Sequence, residues 1–194
     1  MSPRTHTQWE EIRGKSREKI LNAAISLFSS IGYFSTSVSK IAQKAGVSKG
    51  LLYNYFESKD HLLLAIVEKT MNLLDDVFRT GKKDLTANEE LIIVIEKMFG
   101  IIENHTGFLR MLIPLSMQIK EFDFINDMIY KKYDEYVKKI EILLKKLDYQ
   151  NPEEEARLLL ATLDGVMYQY LVIGDNLPYK KIKESIIKKY KNQK

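Results

Sequence analysis

The stretch from Thr36 to His61 constrains the fold more than any other part of the chain. Its apolar residues, serines and glycines predict two short helices joined by a tight turn, with a third helix directly after them. The first helix is predicted to begin at Thr36 or Ser37, because a hydroxyl there can accept a hydrogen bond from an exposed backbone N–H. Gly46 is predicted to end it, since glycine adopts a left-handed C-cap without steric strain. The positions that this helix buries are Val38, Ile41, Ala42 and Ala45.

The second helix is predicted over the residues S-K-G-L-L-Y-N-Y-F, with Ser48 as its N-cap. The two helices are expected to cross sharply, because small Ala42 lets their axes approach, and to turn Val47, Leu52 and Phe56 inward. A short helix that presents cationic, aromatic and hydrogen-bonding groups beside a glycine fits a groove of a nucleic acid. The residues left on this outer side are Lys49, Gly50, Tyr53, Asn54 and Tyr55.

Helical periodicity continues through the rest of the 194 residues, without an internal repeat or an alternating strand pattern, so the predicted fold class is all-α. Residues 1–15 fit either a flexible arm or an extension of the helix that follows. Pro114 is predicted to bend one helix, because proline lacks a backbone donor. The predicted helices outside the opening stretch are 16–31, 59–79, 88–104, 108–120, 123–147, 152–173 and 179–190.

Charge and composition narrow the range of functions. The formal net charge is +4, and residues 1–60 carry the whole excess, with 9 of the 30 Lys and Arg residues and 5 of the 26 Asp and Glu residues. This distribution suits a contact with phosphates. The chain has no cysteine and three scattered histidines, so we expect no disulfide, no metal site and no cofactor.

The pattern also argues against an enzyme and against a membrane protein. No nucleophile with a partner histidine and no phosphate loop stands in the sequence. No uninterrupted apolar run approaches the roughly 18 residues that cross a bilayer, and the first residues lack the apolar core of a signal peptide. A cytoplasmic protein that is not an enzyme is therefore expected.

The residues T-S-V-S-K-I-A-Q-K-A-G-V-S-K-G-L-L-Y-N-Y-F-E-S-K-D-H-L-L, with the helix from Ile20 before them, resemble the DNA-binding domain of TetR/AcrR-type bacterial transcriptional regulators. The resemblance covers about residues 16–66 and implies a nine-helix homodimer. It implies a helix-turn-helix DNA-binding domain over residues 1–60 and an effector-binding and dimerisation domain over residues 61–194. The residues that it places on DNA are Ser48, Lys49, Gly50, Tyr53, Asn54 and Tyr55, with Ser37 and Lys59 on flanking phosphates.

Two positions of the second helix leave alternatives open. Asn54 stands where the family often has an aromatic or basic residue, and it either reads adenine through two hydrogen bonds or is silent. Leu51 replaces a frequent threonine, and it either contacts a thymine methyl group or packs against the first helix.

The C-terminal part carries aromatic residues and methionines that either line a ligand cavity or form ordinary core. Three polar residues of the same region, His105, Arg110 and Glu121, either orient a ligand or are solvated. The predicted pocket residues are Phe99, Phe108, Met111, Met117, Phe122, Met128, Tyr133, Met167 and Tyr168.

Dimerisation is predicted from the helix 152–173, which is apolar on more than one face. Ala161 and Gly165 would let a partner helix approach closely, although core packing within one chain is the alternative. The predicted interface residues are Leu158, Ala161, Gly165, Val172 and Ile186.

Two functional hypotheses follow. The first is a dimeric repressor that a small-molecule effector releases from a near-palindromic DNA operator. The second is a constitutive or architectural DNA-binding protein, whose C-terminal domain only dimerises or binds protein.

Overall fold

The computed structural model describes residues 6–79, 81, 84–118 and 122–191. Within these ranges the chain is helical and contains no strand, which confirms the predicted fold class. The α-helices are α1 (His6–Ile31), α2 (Val38–Ala45), α3 (Lys49–Tyr53), α4 (Lys59–Asp75), α5 (Ala87–Ser116), α6 (Asp123–Lys146), α7 (Pro152–Ile173) and α8 (Tyr179–Lys191).

The helix α5 is interrupted between the predicted helices 88–104 and 108–120, and not at Pro114, where a bend was predicted. Non-helical backbone angles occur at His105, with φ −126° and ψ 18°, whereas Pro114 lies within the helix. Side chains beside the interruption donate hydrogen bonds to carbonyl groups of the preceding turn. Asn104 donates to Gly100 O at 2.9 Å, and Thr106 donates to Ile102 O. Counting the two parts of α5 separately, the described residues form the nine α-helices that the family resemblance implied.

The chain divides into two compact units, each described here by itself. The N-terminal unit comprises Met1–Thr70 and Met111–Ile125, and the C-terminal unit comprises Met71–Arg110 and Asn126–Lys194. The division into DNA-binding and effector domains at residue 60 concerns function and stays a prediction.

The core of the N-terminal unit forms where the apolar stripe of α1 meets α2, α3 and α4. Ile20, Ala24 and Phe28 of that stripe are fully buried, as predicted, but Ile31 is exposed. The helix begins at His6, so from this residue onward the structure has the helical extension that was one of the two alternatives for residues 1–15. The other fully buried side chains include Ile41, Leu52, Phe56, Leu62, Leu63 and Ile66.

In the C-terminal unit, α5, α6, α7 and α8 contribute the buried residues. The helix α7 has the predicted bounds, with a proline at its start and glutamates 153–155 in its first turn, where the helix dipole favours negative charge. Fully or almost fully buried side chains include Leu91, Ile95, Phe99, Val137, Ile140, Leu144, Leu159 and Leu163.

The segment Pro152–Asn176 is long and apolar enough, by length and composition alone, to cross a membrane. The search for an uninterrupted apolar run does not detect this segment, because polar residues interrupt it. Leu159, Leu163 and Val166 on one side of α7 are buried within the C-terminal unit. Core packing therefore accounts for part of the hydropathy, and the rest lies on the exposed side of the helix.

Candidate DNA-binding site

The turn between α2 and α3 is held by the caps that the sequence predicted. The hydroxyl of Ser37 accepts a hydrogen bond from Lys40 N at 3.2 Å, which fixes the start of α2. Gly46 has φ 68° and donates to Gln43 O at 3.1 Å, so the helix ends in the left-handed cap that favours glycine. These bonds fix the direction in which the chain enters α3.

The helix α3 is shorter than predicted. Ser48 caps it by accepting from Leu51 N at 3.0 Å, but the helix ends at Tyr53 rather than near Phe56. The N–H groups of Tyr55 and Phe56 both donate to Leu52 O at 3.0 Å, so the last turn tightens before α4 starts at Lys59. Asn54 is consequently the C-cap residue, and Tyr55 lies beyond the helix.

Most of the predicted contact residues form one exposed surface, the α3 surface, which consists of Lys49, Gly50, Leu51, Tyr53 and Asn54. Tyr53 is 45% exposed and Leu51 is 36% exposed, while the intervening Leu52 is fully buried. The ammonium group of Lys49 lies 6.0 Å from the centroid of the Tyr53 ring. This surface therefore combines a cation, an aromatic ring, an amide and an apolar side chain within six consecutive residues, on the short helix α3 and its C-cap.

Two of the predicted contact residues, Tyr55 and Lys59, are only half-exposed.

Gly50 is the residue of the α3 surface that the fold does not require. It lies inside α3, without the positive φ that four other glycines have. A Cβ atom at this position would meet no other atom within 4 Å. Because glycine destabilises a helix interior by roughly 0.5–1 kcal/mol relative to alanine, the folded chain alone gains nothing from it. A glycine here leaves room for the close approach of another molecule.

Lys59 has a structural role that the sequence did not indicate. Its ammonium group donates hydrogen bonds to Tyr33 O at 2.9 Å and to Thr36 O at 3.1 Å, and it lies 4.1 Å from the centroid of the Tyr33 ring. The first residue of α4 is thereby attached to the link that leads into α2. The predicted phosphate contact of Lys59 would have to use its remaining N–H donor.

Replacing Lys59 with methionine is expected to lower the free energy of unfolding by about 2 kcal/mol, because two hydrogen bonds from a charged donor are lost and two carbonyl groups are left unpaired. The measurement is chemical denaturation of both variants Lys59→Met and Lys49→Met. Lys49 is the matched control, since it loses the same charge from the start of the neighbouring helix and is exposed. Equal stability of the two variants would contradict the structural role.

Tyr33 is the centre of this arrangement. Its side chain is buried, and its hydroxyl donates to the carboxylate of Asp60, the second residue of α4. Burial and this hydrogen bond raise the pKa of Tyr33 well above its usual value. The hydroxyl of Thr36 donates to Gly32 O at 2.7 Å and closes the same link. The starts of α2 and α4 are therefore held together through one tyrosine.

The family model described as bacterial regulatory proteins, tetR family, matches residues 20–66. This range contains the end of α1, all of α2 and α3 and the first half of α4. The structure therefore forms a helix-turn-helix where the family model matches. Over residues 20–66, the chain is therefore similar to the tetR family of bacterial regulatory proteins.

Known proteins resemble this chain over different lengths. The fatty acid metabolism regulator protein of Bacillus subtilis (strain 168) is 34% identical over 85 residues, which cover 43% of this chain and 44% of that protein. A TetR-like transcriptional regulator from Rhodococcus sp. RHA1 is 25% identical, with a TM-score of 0.67 and coverage of 88% of this chain and 87% of the other. A putative fatty acid metabolism regulator of Clostridium perfringens shares the fold, with a TM-score of 0.72 and 23% identity. The match covers 91% of this chain and 98% of the other. The match thus spans less than half the length of the Bacillus subtilis relative.

A segment from the later part of the chain belongs to the N-terminal unit and packs on residues 32–37, which we call the Tyr33 link. The side-chain oxygen of Gln118 accepts from Tyr33 N at 2.7 Å, and its amide nitrogen donates to Pro114 O at 3.1 Å. The ring of Phe122 stacks on Phe34 with centroids 5.9 Å apart and meets the edge of Tyr33 at 4.8 Å. The sequence reading missed Tyr33 and Gln118, because neither lies in a periodic apolar pattern.

The residues predicted to line a pocket do not lie together in one unit. Met117 and Phe122 belong to the N-terminal unit, where Met117 is 71% exposed. In the C-terminal unit, Phe99 is buried, whereas Tyr133 and Tyr168 are exposed. The side chain of Met111 lies outside the described part of the structure. The pocket stays a prediction, and the remaining half-buried members of the set are Phe108, Met128 and Met167.

His105, predicted as a ligand-orienting residue, lines a shallow groove of about 270 Å³ in the C-terminal unit. None of the predicted pocket residues lines this groove. Its other lining residues are Leu73, Asp76, Val77, Lys97, Gly100, Ile101 and Asn104. Among the described residues, no group of histidine, aspartate and glutamate side chains is arranged to hold a metal ion.

The helix α7 has a second apolar face, which is exposed. Leu158 is 53% exposed and Val172 is 67% exposed, and Ala161 and Gly165 are spaced between them at helical intervals. A Cβ atom at Gly165 would meet nothing within 4 Å. Ile186, the other predicted interface residue, is buried in its own unit and lines a groove of about 340 Å³ with Thr162.

Proposed function

We propose that this chain is a homodimeric transcriptional repressor that binds a near-palindromic DNA operator in the cytoplasm and is released from it by a small-molecule effector. The observation that carries the DNA-binding part is the α3 surface, in which a glycine that the fold does not need lies between a lysine and a tyrosine. The match of residues 20–66 to the tetR family model supports the same role. We assign DNA contact to Ser37, Ser48, Lys49, Gly50, Tyr53 and Asn54, with smaller contributions from Tyr55 and Lys59.

The exposed face of α7 supports the dimer. Its apolar residues run along the side opposite the buried one, and a second copy of α7 would cover Leu158 and Val172 while Ala161 and Gly165 let the two helices approach. A two-fold dimer presents two α3 helices to DNA, so the operator has two half-sites one helical turn or a multiple of a turn apart.

The helix α4 is the element through which an effector would act. Its first residue, Lys59, is attached to the Tyr33 link in the N-terminal unit. Its last residue, Asp75, belongs to the C-terminal unit, where it accepts from Lys132 at 3.0 Å and from the Tyr136 hydroxyl at 3.2 Å. Although burial opposes it, these hydrogen bonds keep the pKa of Asp75 below its usual value. An effector that binds one position of α4 more tightly would shift the equilibrium between two states of the chain.

A constitutive DNA-binding protein is the second candidate, and the burial of Phe99 favours it, because a predicted pocket residue is then part of the core of the C-terminal unit. A thermal-shift screen distinguishes the two. Stabilisation by a metabolite that also weakens DNA binding supports the effector, and no response across a library that includes fatty acids supports the constitutive protein.

The test of DNA binding is a salt titration on duplexes selected from a random library. Affinity is expected to fall steeply as salt rises, and Lys49→Ala is expected to reduce the slope of log K against log salt by about 0.9, the value for one phosphate contact. Lys188→Ala is the control, because it removes an exposed lysine from α8. A flat salt response of the unchanged chain would exclude the proposed function.

A further inference from the structure

We propose that the first turns of α1 form a second contact with duplex DNA, in which Arg13 and Arg17 bind phosphates outside the bases that α3 contacts. This inference rests on the proposed DNA-binding function. It adds a surface that the helix-turn-helix pattern does not contain, since both arginines precede residues 20–66 that match the family model.

The position of the two arginines follows from the buried stripe of α1. Ile20, Ala24 and Phe28 are fully buried and recur at intervals of four residues. Continued toward the N-terminus at helical spacing, the same side of the helix carries Arg17 and then Arg13. The two arginines therefore project from the side of α1 that faces the rest of the N-terminal unit, one and two turns before its core begins.

Arg17 lies beside the link between α3 and α4. Its guanidinium carbon is 5.3 Å from the centroid of Phe56, which is buried and whose ring meets that of His61 at 5.9 Å. Phe56 comes two residues after the C-cap of α3 and three residues before α4. The contact places a guanidinium group next to the segment that ends the α3 surface, so a duplex bound there lies within reach of α1.

The charge of this surface is available to a partner. Along α1, Lys15 is paired with Glu11 at 2.6 Å and Glu18 is paired with Lys69 at 2.5 Å. Within the described part of the chain, neither Arg13 nor Arg17 has a carboxylate partner, and both are exposed. The two acidic residues nearest in sequence with described side chains are thus neutralised by other groups. Two guanidinium groups one turn apart match the geometry of successive phosphates.

The occupant to which these observations point is a DNA backbone. The arginines are separated by about 6 Å along the helix, which is the rise of four residues, and phosphates of one strand are spaced at a comparable distance. An acidic protein partner is the competing occupant, and it would leave the affinity for DNA unchanged when the arginines are removed.

The experiment compares Arg13→Ala, Arg17→Ala and the double variant with the unchanged chain in the same salt titration. Each arginine is expected to contribute about 0.9 to the slope, so that each substitution makes the fall in affinity between about 50 and 200 mM salt roughly 3.5-fold smaller. Hydroxyl-radical footprinting is expected to lose protection at the outer edges of each half-site and to keep it at the centre.

Two controls make the result specific. Lys15→Ala removes a positive charge from the opposite side of the same helix and is expected to leave the slope unchanged. Arg17→Lys keeps the charge, so its slope reports the phosphate contact even if the stacking on Phe56 matters for stability. If the unchanged chain binds a selected duplex and the double variant has the same slope and footprint, the second contact is excluded while the proposed function stands. If the unchanged chain binds no duplex, both proposals fall.

Discussion

Gly50→Ala is expected to stabilise the folded chain and to weaken its binding to DNA. The methyl group meets no atom of the protein, and alanine is favoured over glycine inside a helix by roughly 0.5–1 kcal/mol, so the free energy of unfolding rises. The same methyl group projects from the middle of the α3 surface, into the space that a bound duplex would occupy. Loss of one well-placed contact corresponds to about tenfold in affinity, or 1.4 kcal/mol.

The opposite signs of the two effects make this prediction specific. Chemical denaturation measures the stability, and fluorescence anisotropy with a selected duplex measures the affinity. Gly107→Ala is the matched control, because Gly107 is an exposed glycine of α5 whose Cβ would also meet nothing within 4 Å. It is expected to stabilise the chain without changing its affinity for DNA. A Gly50→Ala variant that binds DNA as tightly as the unchanged chain would show that no partner approaches this residue.

Val172→Lys is expected to separate the dimer and, with it, to abolish tight binding to the operator. Val172 is the most exposed apolar residue of the second face of α7, and a two-fold interface would bring two introduced ammonium groups together. Linking two half-site contacts raises the affinity for DNA by a factor of about 10² to 10⁴ over that of a single contact. The monomer is therefore expected to bind the operator on the order of 10²-fold or more weakly than the dimer.

Sedimentation velocity measures the mass, and anisotropy measures the affinity for the whole operator and for a half-site. Ile142→Lys serves as the control, since it makes the same chemical change at an exposed position of α6. It is expected to leave the dimer intact. If Val172→Lys remains a dimer, the second face of α7 is not the interface between subunits.

Local features of the fold could be predicted well from the sequence, because each depends on neighbouring residues. Ser37, Gly46 and Ser48 cap their helices as predicted, since a cap needs only a hydroxyl or a glycine at one position. The bounds of α7 follow from Pro152 and Gly174 for the same reason. The inward position of Leu52 follows from helical spacing, and Phe56 is buried as predicted although it lies beyond the end of α3.

Features that depend on residues far apart in the chain could not be predicted. The hydrogen bonds of Lys59 to the carbonyl groups of Tyr33 and Thr36, which lie more than twenty residues earlier, were not predicted, and its phosphate contact stays a prediction. Gln118 binds Tyr33 across 85 residues, and no periodic pattern marks such a pair. Pro114 was expected to bend a helix, yet it lies within α5 near its C-terminal end, and the non-helical backbone angles of this helix are at His105.

The hydrogen bonds of the Tyr33 link determine which sequence changes this part of the N-terminal unit can accommodate. The backbone carbonyl of Tyr33 accepts a hydrogen bond from Lys59. The backbone N–H of Tyr33 donates to Gln118, and its hydroxyl donates to Asp60. Two of these three bonds use the main chain, which every residue except proline supplies. Exposed neighbours such as Ser35 are therefore free to change, while an inserted or deleted residue between Gly32 and Ser37 would shift all three bonds at once. The N-terminal unit therefore depends more strictly on the length of this link than on its composition.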